Sequence, residues 1–322
     1  MRTEPYQTWL ITGASSGLGK AIAAAALTAN HRVIGTTRDI DKAETSYPEF
    51  ASNGGIWVCL DPAQHDAYER FSRVAEEYNV DVLVNSAGYA FIGAVEDTRY
   101  ALVLTPFPDI CSVYKDVAME LADSFPSEEE VRAQMEVNFY GPLRAARACL
   151  PVMREKGSGH IILISSGAGF IARPARSTYA ASKFAIEAIY ESLSQEVKPF
   201  DIKVLIVEPG AFRTPSPGRQ VFPSGPGLEN GYSDVYKGTP VEEMMALSKD
   251  MDSATKWIKG DPEKAARALV VAVDNGYAGY GFLRMPLGRD CVRVLEEKIA
   301  ALQADLEATR EVAMGTDVDV DE

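Results

Sequence analysis

Short apolar runs alternate with longer stretches of helical composition through most of the chain. The runs predict strands at residues 7–12, 32–36, 56–60, 80–84, 160–165 and 202–207. Because these runs contain few polar residues, the strands that they predict are buried on both faces, as in a parallel sheet covered by helices on both sides. The repeated strand–helix–strand order therefore predicts an α/β fold with a doubly wound parallel sheet, the Rossmann fold.

Helical segments are predicted at residues 18–29, 63–78, 179–197 and about 290–309. A further helix is predicted to begin at Asp261 and Pro262, since aspartate is a good N-cap and proline suits the first helical position. We expect a single domain over residues 1–310 and a solvated acidic tail over residues 311–322. The last predicted helix either caps the fold or contacts a second subunit. The sequence is therefore compatible with a homo-oligomer.

The composition excludes several classes of protein. Of 322 residues, 46% are apolar and 24% are charged, which are the proportions of a globular chain rather than of a disordered or fibrous one. Lys and Arg number 32 against 46 Asp and Glu, for a formal charge of −14, so no nucleic acid and no anionic membrane surface is expected as a partner. No apolar run approaches the roughly 18 to 20 residues that cross a bilayer, so no membrane span is expected.

The cysteines and histidines are scattered. Cys59, Cys111, Cys149 and Cys291 form no Cys-x-x-Cys pair, and the N-terminus has no apolar signal-peptide core. We therefore expect reduced thiols and a cytoplasmic location. The three histidines form no helical pair, so no metal site is expected.

A glycine-rich turn follows the first predicted strand and opens the first predicted helix. The sequence Thr-Gly-Ala-Ser-Ser-Gly-Leu-Gly occupies residues 12–19. Residues without side chains let a pyrophosphate approach the backbone, and a helix N-terminus supplies unpaired N–H groups and the positive end of its dipole. The turn therefore predicts a dinucleotide site formed by Gly13, Ser15, Ser16, Gly17, Leu18 and Gly19.

A tyrosine and a lysine, Tyr179 and Lys183, stand four residues apart and share one face of a predicted helix. A free phenol has a pKa of about 10, and a nearby ammonium favours its ionised form. A phenol tuned in this way can give a proton to a carbonyl oxygen or take one from an alcohol. Ser166 stands at the end of a predicted strand, where α/β sheets place their sites, and its hydroxyl can orient a substrate oxygen.

Together these motifs resemble the short-chain dehydrogenase/reductase family, in the family's order, over about residues 7–215. The resemblance implies hydride transfer between a nicotinamide cofactor and the substrate carbon. In that case Tyr179 is the general acid/base, and Lys183 tunes it and clamps the ribose. Ser166, rather than its neighbour Ser165, orients the substrate. Asn138 matches the family's helix asparagine, which holds a water that links the lysine to solvent.

The resemblance implies further contacts with the cofactor. The positions concerned are Asp61, Asn85, Ala87, Gly88, Phe212 and Thr214. Ser86 departs from the family's Asn-Asn-Ala-Gly segment, which supports the central sheet and passes near the cofactor. Asp61 matches the position that bonds the adenine, although an aspartate before a proline also suits a helix cap.

The residues after the second predicted strand favour NADP over NAD. In NAD sites an acid at this point receives the ribose hydroxyls and repels the 2′-phosphate of NADP. Here Thr37 and Arg38 stand in its place, and an arginine can pair with a phosphate. Asp39 follows directly. If the strand ended one residue later than predicted, Asp39 would take the place of the acid that binds the ribose hydroxyls in NAD sites. The alternative for Arg38 is a solvated loop charge.

Two segments interrupt the alternation of strands and helices. Residues 99–126 form a predicted insertion, which is a lid or interface excursion, a surface loop without a role, or non-coding sequence translated in error. Residues 213–259 fall where the family places its variable substrate segment. Its large apolar side chains either line a lipophilic substrate or pack the segment to the body. They are Phe222, Tyr232, Tyr236, Met244, Met245, Met251 and Trp257.

The sequence thus predicts an NADP-dependent oxidoreductase that interconverts a ketone and a secondary alcohol, with a small and lipophilic molecule as substrate. Two alternatives stay open. One is an NAD-linked alcohol dehydrogenase, and the other is a dinucleotide-binding sensor or scaffold without turnover.

Overall fold

Seven parallel strands form the central sheet of the computed structural model, which describes residues 7–97, 128–214, 220–224, 227–250, 256, 258–275 and 281–318. In chain order the strands are β1 (Thr8–Thr12), β2 (Arg32–Thr37), β3 (Ile56–Cys59), β4 (Val82–Asn85), β5 (Ala90–Phe91), β6 (Gly159–Ile164), β7 (Ile202–Pro209), β8 (Gln220–Val221) and β9 (Arg284–Leu287). The sheet has the order β3-β2-β1-β4-β6-β7-β9, and β5 pairs with β8 in a small second sheet. The order reverses between β1 and β4, which is where open α/β sheets bind ligands.

Helices cover both faces of the sheet. They are α1 (Gly17–Thr28), α2 (Ile40–Ser46), α3 (Glu49–Ser52), α4 (Ala67–Tyr78), α5 (Glu128–Met135), α6 (Gly141–Lys156), α7 (Ser177–Glu196), α8 (Pro240–Lys249), α9 (Pro262–Asp274) and α10 (Arg289–Met314). A π-helical turn, Glu136–Tyr140, joins α5 to α6. None of the helices in the described ranges combines the length and the apolarity that a membrane crossing requires.

The core lies in two layers, one on each side of the sheet. Alternate residues of β1 enter different layers: Leu10 packs with residues of α4, α6 and α7, whereas Trp9 and Ile11 pack with residues of α1 and α9. All five residues of β1 are buried, as expected for a strand with helices on both faces. The predicted doubly wound Rossmann fold is therefore confirmed.

The structure contains elements that were not predicted, namely α2, α3, α5, α6, α8, β5 and β8, and it also differs from the predicted elements elsewhere. The helix predicted from residue 63 begins at Ala67, because residues 61–66 form a turn in which the Asp61 carboxylate accepts a hydrogen bond from the Ala63 N–H at 3.0 Å. Strand β9 was missed, since its four residues include an arginine and a proline. The last helix continues to Met314, past the predicted end at residue 309. The predicted insertion, residues 99–126, lies outside the described residues.

Among the described residues, helix α10 contacts the body through its first turns. Cys291 and Val294 are buried beside Phe170. Further along, Leu302 and Leu306 are more than half exposed.

A buried cluster of charges joins β7, β9 and α7. Arg284 on β9 donates to Glu208 at 2.6 Å, to Glu191 at 3.0 Å and to Glu187. Glu187 and Glu208 are almost completely buried, and burial raises the pKa of Glu208 to about 7. Burial opposes the charge of Arg284, but the hydrogen bonds that it donates to Glu187 and Glu208 raise its pKa above the ordinary value.

The end of β4 is tied to α7 by one buried hydrogen bond. The Asn85 amide donates to the hydroxyl of Tyr190 at 2.7 Å, and at 3.4 Å to the Pro142 carbonyl. The side chains of Asn85 and Tyr190 are both buried. If the Tyr190 hydroxyl were removed, no solvent would therefore take its place as acceptor for the Asn85 amide.

We predict that Tyr190→Phe lowers the free energy of unfolding by about 1–3 kcal/mol, because it removes the nearer acceptor of a buried amide. Chemical denaturation followed by circular dichroism measures this change. Tyr68→Phe, which removes a hydroxyl from a half-buried ring on α4, is the control and should cost less than about 0.5 kcal/mol. Equal stability of Tyr190→Phe and the parent would contradict the role of this bond.

Candidate active site

Close contacts at the glycine-rich turn require residues without side chains. Gly13 and Gly17 have φ values of +66° and +58°, in the left-handed region that favours glycine. A Cβ on Gly13 would lie 2.9 Å from the Cα of Ala87, and one on Gly19 would lie 2.4 Å from the carbonyl oxygen of Gly13. The turn is therefore pressed against the segment that follows β4, and α1 is pressed against the turn.

The N-terminus of α1 offers donors to an anion. The first N–H groups of a helix have no partner within it, and the dipole makes this end positive. The helix is described throughout, and neither a capping bond from the Ser16 side chain nor an acidic residue occupies its first turn. The backbone of Gly17, Leu18 and Gly19 thus presents N–H groups in a setting that suits a phosphate.

The turn is fixed to β4 by the side chain of Thr12. Its hydroxyl oxygen accepts hydrogen bonds from the Ser86 and Ala87 N–H groups, at 3.0 and 3.1 Å. These bonds bring Ala87 beside the glycine-rich turn. The Asn85 side chain, in contrast, points into the core toward Tyr190.

Arg38 and Asp39, the two residues after β2, have different surroundings. Strand β2 ends at Thr37, and Arg38 is the first residue after it, with an exposed side chain. Asp39 caps α2: its carboxylate accepts a hydrogen bond from the Lys42 N–H at 3.0 Å and forms an ion pair with the Lys42 ammonium at 2.9 Å. The hydrogen bond from the Lys42 backbone is the main reason why the pKa of Asp39 is lowered. Asp39 is thus engaged with its own helix, and Arg38 is open to a ligand.

A cavity of about 280 Å³ opens at the carboxyl ends of the strands, beside the glycine-rich turn. It is lined by Leu18, Ser86, Gly88, Tyr89, Ala90, Ile164, Ser165, Ser166, Arg176, Tyr179, Lys183, Pro209, Gly210, Ala211, Phe212, Thr214, Gln220, Leu247, Ser248 and Ile258. Strands β5 and β8 contribute Ala90 and Gln220, so the small second sheet forms part of the wall.

Tyr179 and Lys183 lie on the first turns of α7 and both line this cavity. The Lys183 side chain is buried, and its ammonium donates to the Ile164 carbonyl at 3.1 Å, at the end of β6. The ammonium lies 5.9 Å from the centre of the Tyr179 ring.

The two serines after β6 have different partners. The Ser165 hydroxyl donates to Glu187 at 2.5 Å, in the buried charge cluster. The Ser166 oxygen accepts a hydrogen bond from the Ala168 N–H at 3.1 Å, which leaves its own O–H to donate elsewhere. Ser166 is thus the serine whose proton is available to a molecule in the cavity.

Asn138 is fully buried in the π-helical turn between α5 and α6. Its side chain bonds both backbone groups of Tyr89: the amide donates to the carbonyl at 2.9 Å, and the oxygen accepts from the N–H at 3.1 Å. The amide also donates to the Ser182 hydroxyl at 3.1 Å. In an α-helix the backbone carbonyl of Asn138 would accept a hydrogen bond from the N–H of residue 142. Residue 142 is a proline, which has no N–H, so this donor is missing. Such turns are frequent at functional sites.

Phe212 and Thr214 line the cavity on the side of β7. Their segment is held by Asp290 at the start of α10, whose carboxylate accepts from the Ala211 N–H at 2.7 Å. Sequence reasoning missed Asp290. A signal for it is the glycine at position 210, where a Cβ would lie 2.4 Å from the carboxylate.

Among the aromatic and methionine residues of the variable segment, those that the structure describes pack the segment to the body, which was one of the two alternatives. Tyr232 and Met245 are buried with Ile92, and further residues of the set pack against them, namely Phe222, Tyr236 and Met244. Met251 and Trp257 lie outside the described residues. The segment instead contributes Gln220, Leu247, Ser248 and Ile258 to the cavity, and these were not predicted.

Arg176, which precedes Tyr179 by three residues, also lines the cavity and was not predicted. The signal in the sequence is its spacing: Arg176 stands three residues before Tyr179 at the start of a predicted helix, and residues at this spacing are neighbours on a helix surface. Among the described residues, no group of three or more His, Cys, Asp or Glu side chains is arranged to hold a metal ion.

The arrangement combines a phosphate-binding turn with a phenol, an ammonium and a hydroxyl in one cavity. This set can hold a dinucleotide along the sheet edge, orient an oxygen-bearing molecule and exchange a proton with it.

Comparison with known proteins identifies relatives over most of the chain. The family model described as short chain dehydrogenase matches residues 7–105 and 114–220. Oxidoreductase claN of Passalora fulva is 41% identical over 245 residues, which are 76% of this chain and 96% of that protein. The crystal structure of a short-chain dehydrogenase from Streptomyces avermitilis is 35% identical, with a TM-score of 0.75, and the match covers 98% of this chain and 100% of that one.

A third comparison shows the fold alone, at lower identity. A short chain dehydrogenase from Burkholderia cenocepacia, solved in complex with NADP, is 21% identical with a TM-score of 0.64, and the match covers 96% of this chain and 98% of that one.

We predict that Gly19→Ala weakens NADPH binding at least tenfold and lowers stability by about 1–3 kcal/mol, because the new Cβ would press on the Gly13 backbone and move α1. Fluorescence titration with NADPH and thermal unfolding measure the two effects. Gly281→Ala is the matched control, since its Cβ meets no described atom within 4 Å. Tight binding by Gly19→Ala would show that the approach of turn and helix is not needed.

Proposed function

This chain belongs to the short-chain dehydrogenase family of oxidoreductases, and from that premise we propose that it interconverts a ketone and a secondary alcohol with NADP(H). One observation carries the proposal. Tyr179, Lys183 and Ser166 line a single cavity, and that cavity reaches Leu18 of the glycine-rich turn.

The residues of the sheet edge fit a nicotinamide dinucleotide. The glycines leave a cradle that a Cβ would fill, and the N-terminus of α1 offers backbone donors to the pyrophosphate. In this proposal Asp61 lies toward the adenine, and Phe212 and Thr214 lie toward the nicotinamide. When bound, the cofactor would supply or accept the hydride.

Tyr179 is the general acid/base of the proposed reaction. In the reducing direction its hydroxyl gives a proton to the carbonyl oxygen, and in the oxidising direction its phenolate takes one from the alcohol. Ser166 donates its available O–H to the same oxygen and fixes its orientation. Lys183, whose ammonium lies 5.9 Å from the centre of the Tyr179 ring, is the proposed clamp of the ribose and the cation beside the phenol.

Asn138 has two parts in this proposal. Its side chain fixes the backbone of Tyr89, which lines the cavity. Pro142 has no N–H to donate to the backbone carbonyl of Asn138. In this proposal that carbonyl accepts a hydrogen bond from a water that passes protons between Lys183 and solvent.

Arg38 is proposed to bind the 2′-phosphate of NADP. Its guanidinium is exposed directly after β2, and Thr37 beside it brings no negative charge. The nearby acid, Asp39, is occupied by Lys42 and the N-terminus of α2. A guanidinium pairs with a phosphate through two parallel hydrogen bonds.

The cavity wall fits a ketone with an apolar body. Leu247, Ile258 and Phe212 line the same cavity as Tyr179, and apolar contact of this kind binds the non-reacting part of a small molecule. This supports the lipophilic character expected from the sequence, although different residues provide it.

We predict that Tyr179→Phe lowers kcat at least about 100-fold and leaves NADPH affinity nearly unchanged, because the ring remains and only the proton donor is removed. Consumption of NADPH is followed at its absorbance with a panel of ketones from small to polycyclic. Tyr78→Phe, at the end of α4, is the control. A Tyr179→Phe variant that turns over at the parent rate would reject the proposed mechanism.

We predict that Arg38→Ala weakens NADPH binding about 10- to 100-fold and changes NADH binding little, because a charge-assisted pair is lost with one cofactor only. Parallel titrations with the two cofactors measure this. Arg32→Ala removes an arginine at the opposite end of β2 and serves as the control. A parent protein that prefers NADH would contradict the assignment of Arg38.

A further inference from the structure

Arg176 places a cation inside the cavity, beside the proposed general acid/base. It is the N-cap residue of α7 and precedes Tyr179 by three residues. Residues at this spacing are neighbours on a helix surface, and both side chains line the same space. One small molecule can therefore touch the guanidinium and the phenol together.

The surroundings of Arg176 disfavour its charge. Burial is the main cause that lowers its pKa, and the neighbouring cation Arg173 acts in the same direction, whereas the nearby Tyr179 acts in the opposite direction. The N-terminus of α7 adds the positive end of a helix dipole. Within the described part of the chain, no carboxylate forms an ion pair with Arg176.

Most of the hydrogen-bonding capacity of Arg176 is unused by the described residues. A guanidinium has five N–H donors, and Nη2 donates to the Ser248 hydroxyl at 3.2 Å. A hydroxyl carries no charge to balance the cation. The remaining donors are available to a molecule in the cavity.

The backbone before Arg176 has an uncommon conformation. Ala175 has φ of +57°, which non-glycine residues rarely adopt. The residue is buried, and its carbonyl accepts a hydrogen bond from the Gly93 N–H at 2.8 Å. The packing thus holds the chain in a bend that directs Arg176 toward the cavity, as is common for strained residues at ligand sites.

We propose that Arg176 binds an anionic group of the substrate, so that the substrate class is a ketone that also carries a carboxylate. The guanidinium pairs with the carboxylate through its fork of N–H donors, while the carbonyl lies at Tyr179 and Ser166. The apolar wall at Leu247 and Ile258 then contacts the part of the molecule between or beside the two polar groups.

This inference rests on the proposed ketone reduction, and it is tested with pairs of probes that differ in charge alone. The probes are 3-acetylbenzoate, 4-acetylbenzoate and 5-oxohexanoate, each beside its methyl ester. NADPH consumption gives kcat and KM, and calorimetry gives the affinity of each acid for the complex with NADPH.

For at least one pair we expect the parent protein to favour the acid over its ester at least tenfold in kcat/KM, mainly through KM. Arg176→Gln should lower kcat/KM for that acid about 10- to 100-fold and leave the ester within a few-fold, because a charge-assisted pair is lost. Arg176→Lys should restore part of the preference, since it keeps the charge without the fork. Arg173→Gln removes an exposed arginine three residues earlier and should leave the preference intact.

Equal use of acids and esters by the parent would overturn the proposal, and so would an equal loss for both in Arg176→Gln. If no probe consumes NADPH, the proposed reaction fails, and the calorimetric arm still decides the inference. Binding of an acid that disappears in Arg176→Gln would support the anion site, whereas the absence of binding to the parent would reject it.

Discussion

The site depends on how closely the glycine-rich turn before α1 approaches the segment after β4. Gly13 lies against the backbone of Ala87, and the Thr12 hydroxyl accepts two N–H groups from that segment. These contacts stand where the strand order reverses between β1 and β4. A larger residue at the turn would separate the two strand ends and close the space that a pyrophosphate needs. The same contact therefore shapes the sheet edge and the anion site.

The chemistry of the cavity is positioned from the ends of strands. Lys183 is held by the carbonyl at the end of β6, and the Ser166 side chain directly follows the same strand. Asn138 reaches the loop after β4 by bonding both backbone groups of Tyr89. Because strand ends are fixed by the sheet, the phenol, the ammonium and the hydroxyl keep their relative positions without a ligand. A site placed on rigid elements in this way loses little entropy when its substrate binds.

The sequence predicts the doubly wound parallel sheet and the main polar residues proposed for the site, because both depend on local signals. An apolar run marks a buried strand, and Tyr179 with Lys183 forms a pair at helical spacing. Contacts between distant segments leave no such signal. The partner of Asp290 is a backbone N–H 79 residues away, and Met245 resembles a wall residue until its packing against Ile92 is known. Strand β9 was missed because an arginine within it is neutralised by carboxylates from other elements.

Two partly buried arginines, Arg284 and Arg176, differ in whether carboxylates of the described residues balance their charge. Arg284 faces three carboxylates, two of them almost completely buried, and its charge is balanced within the protein. Such a cluster fixes elements to one another, and the charge of its cation is balanced by its own carboxylates. Arg176 faces a hydroxyl, a second arginine and a helix N-terminus. A cation without an internal counter-charge is costly to keep in a protein interior unless something else supplies the charge. Among the described residues, Arg284 is stabilised by acids of the protein itself, whereas Arg176 has no carboxylate partner and, in our proposal, receives one from the substrate.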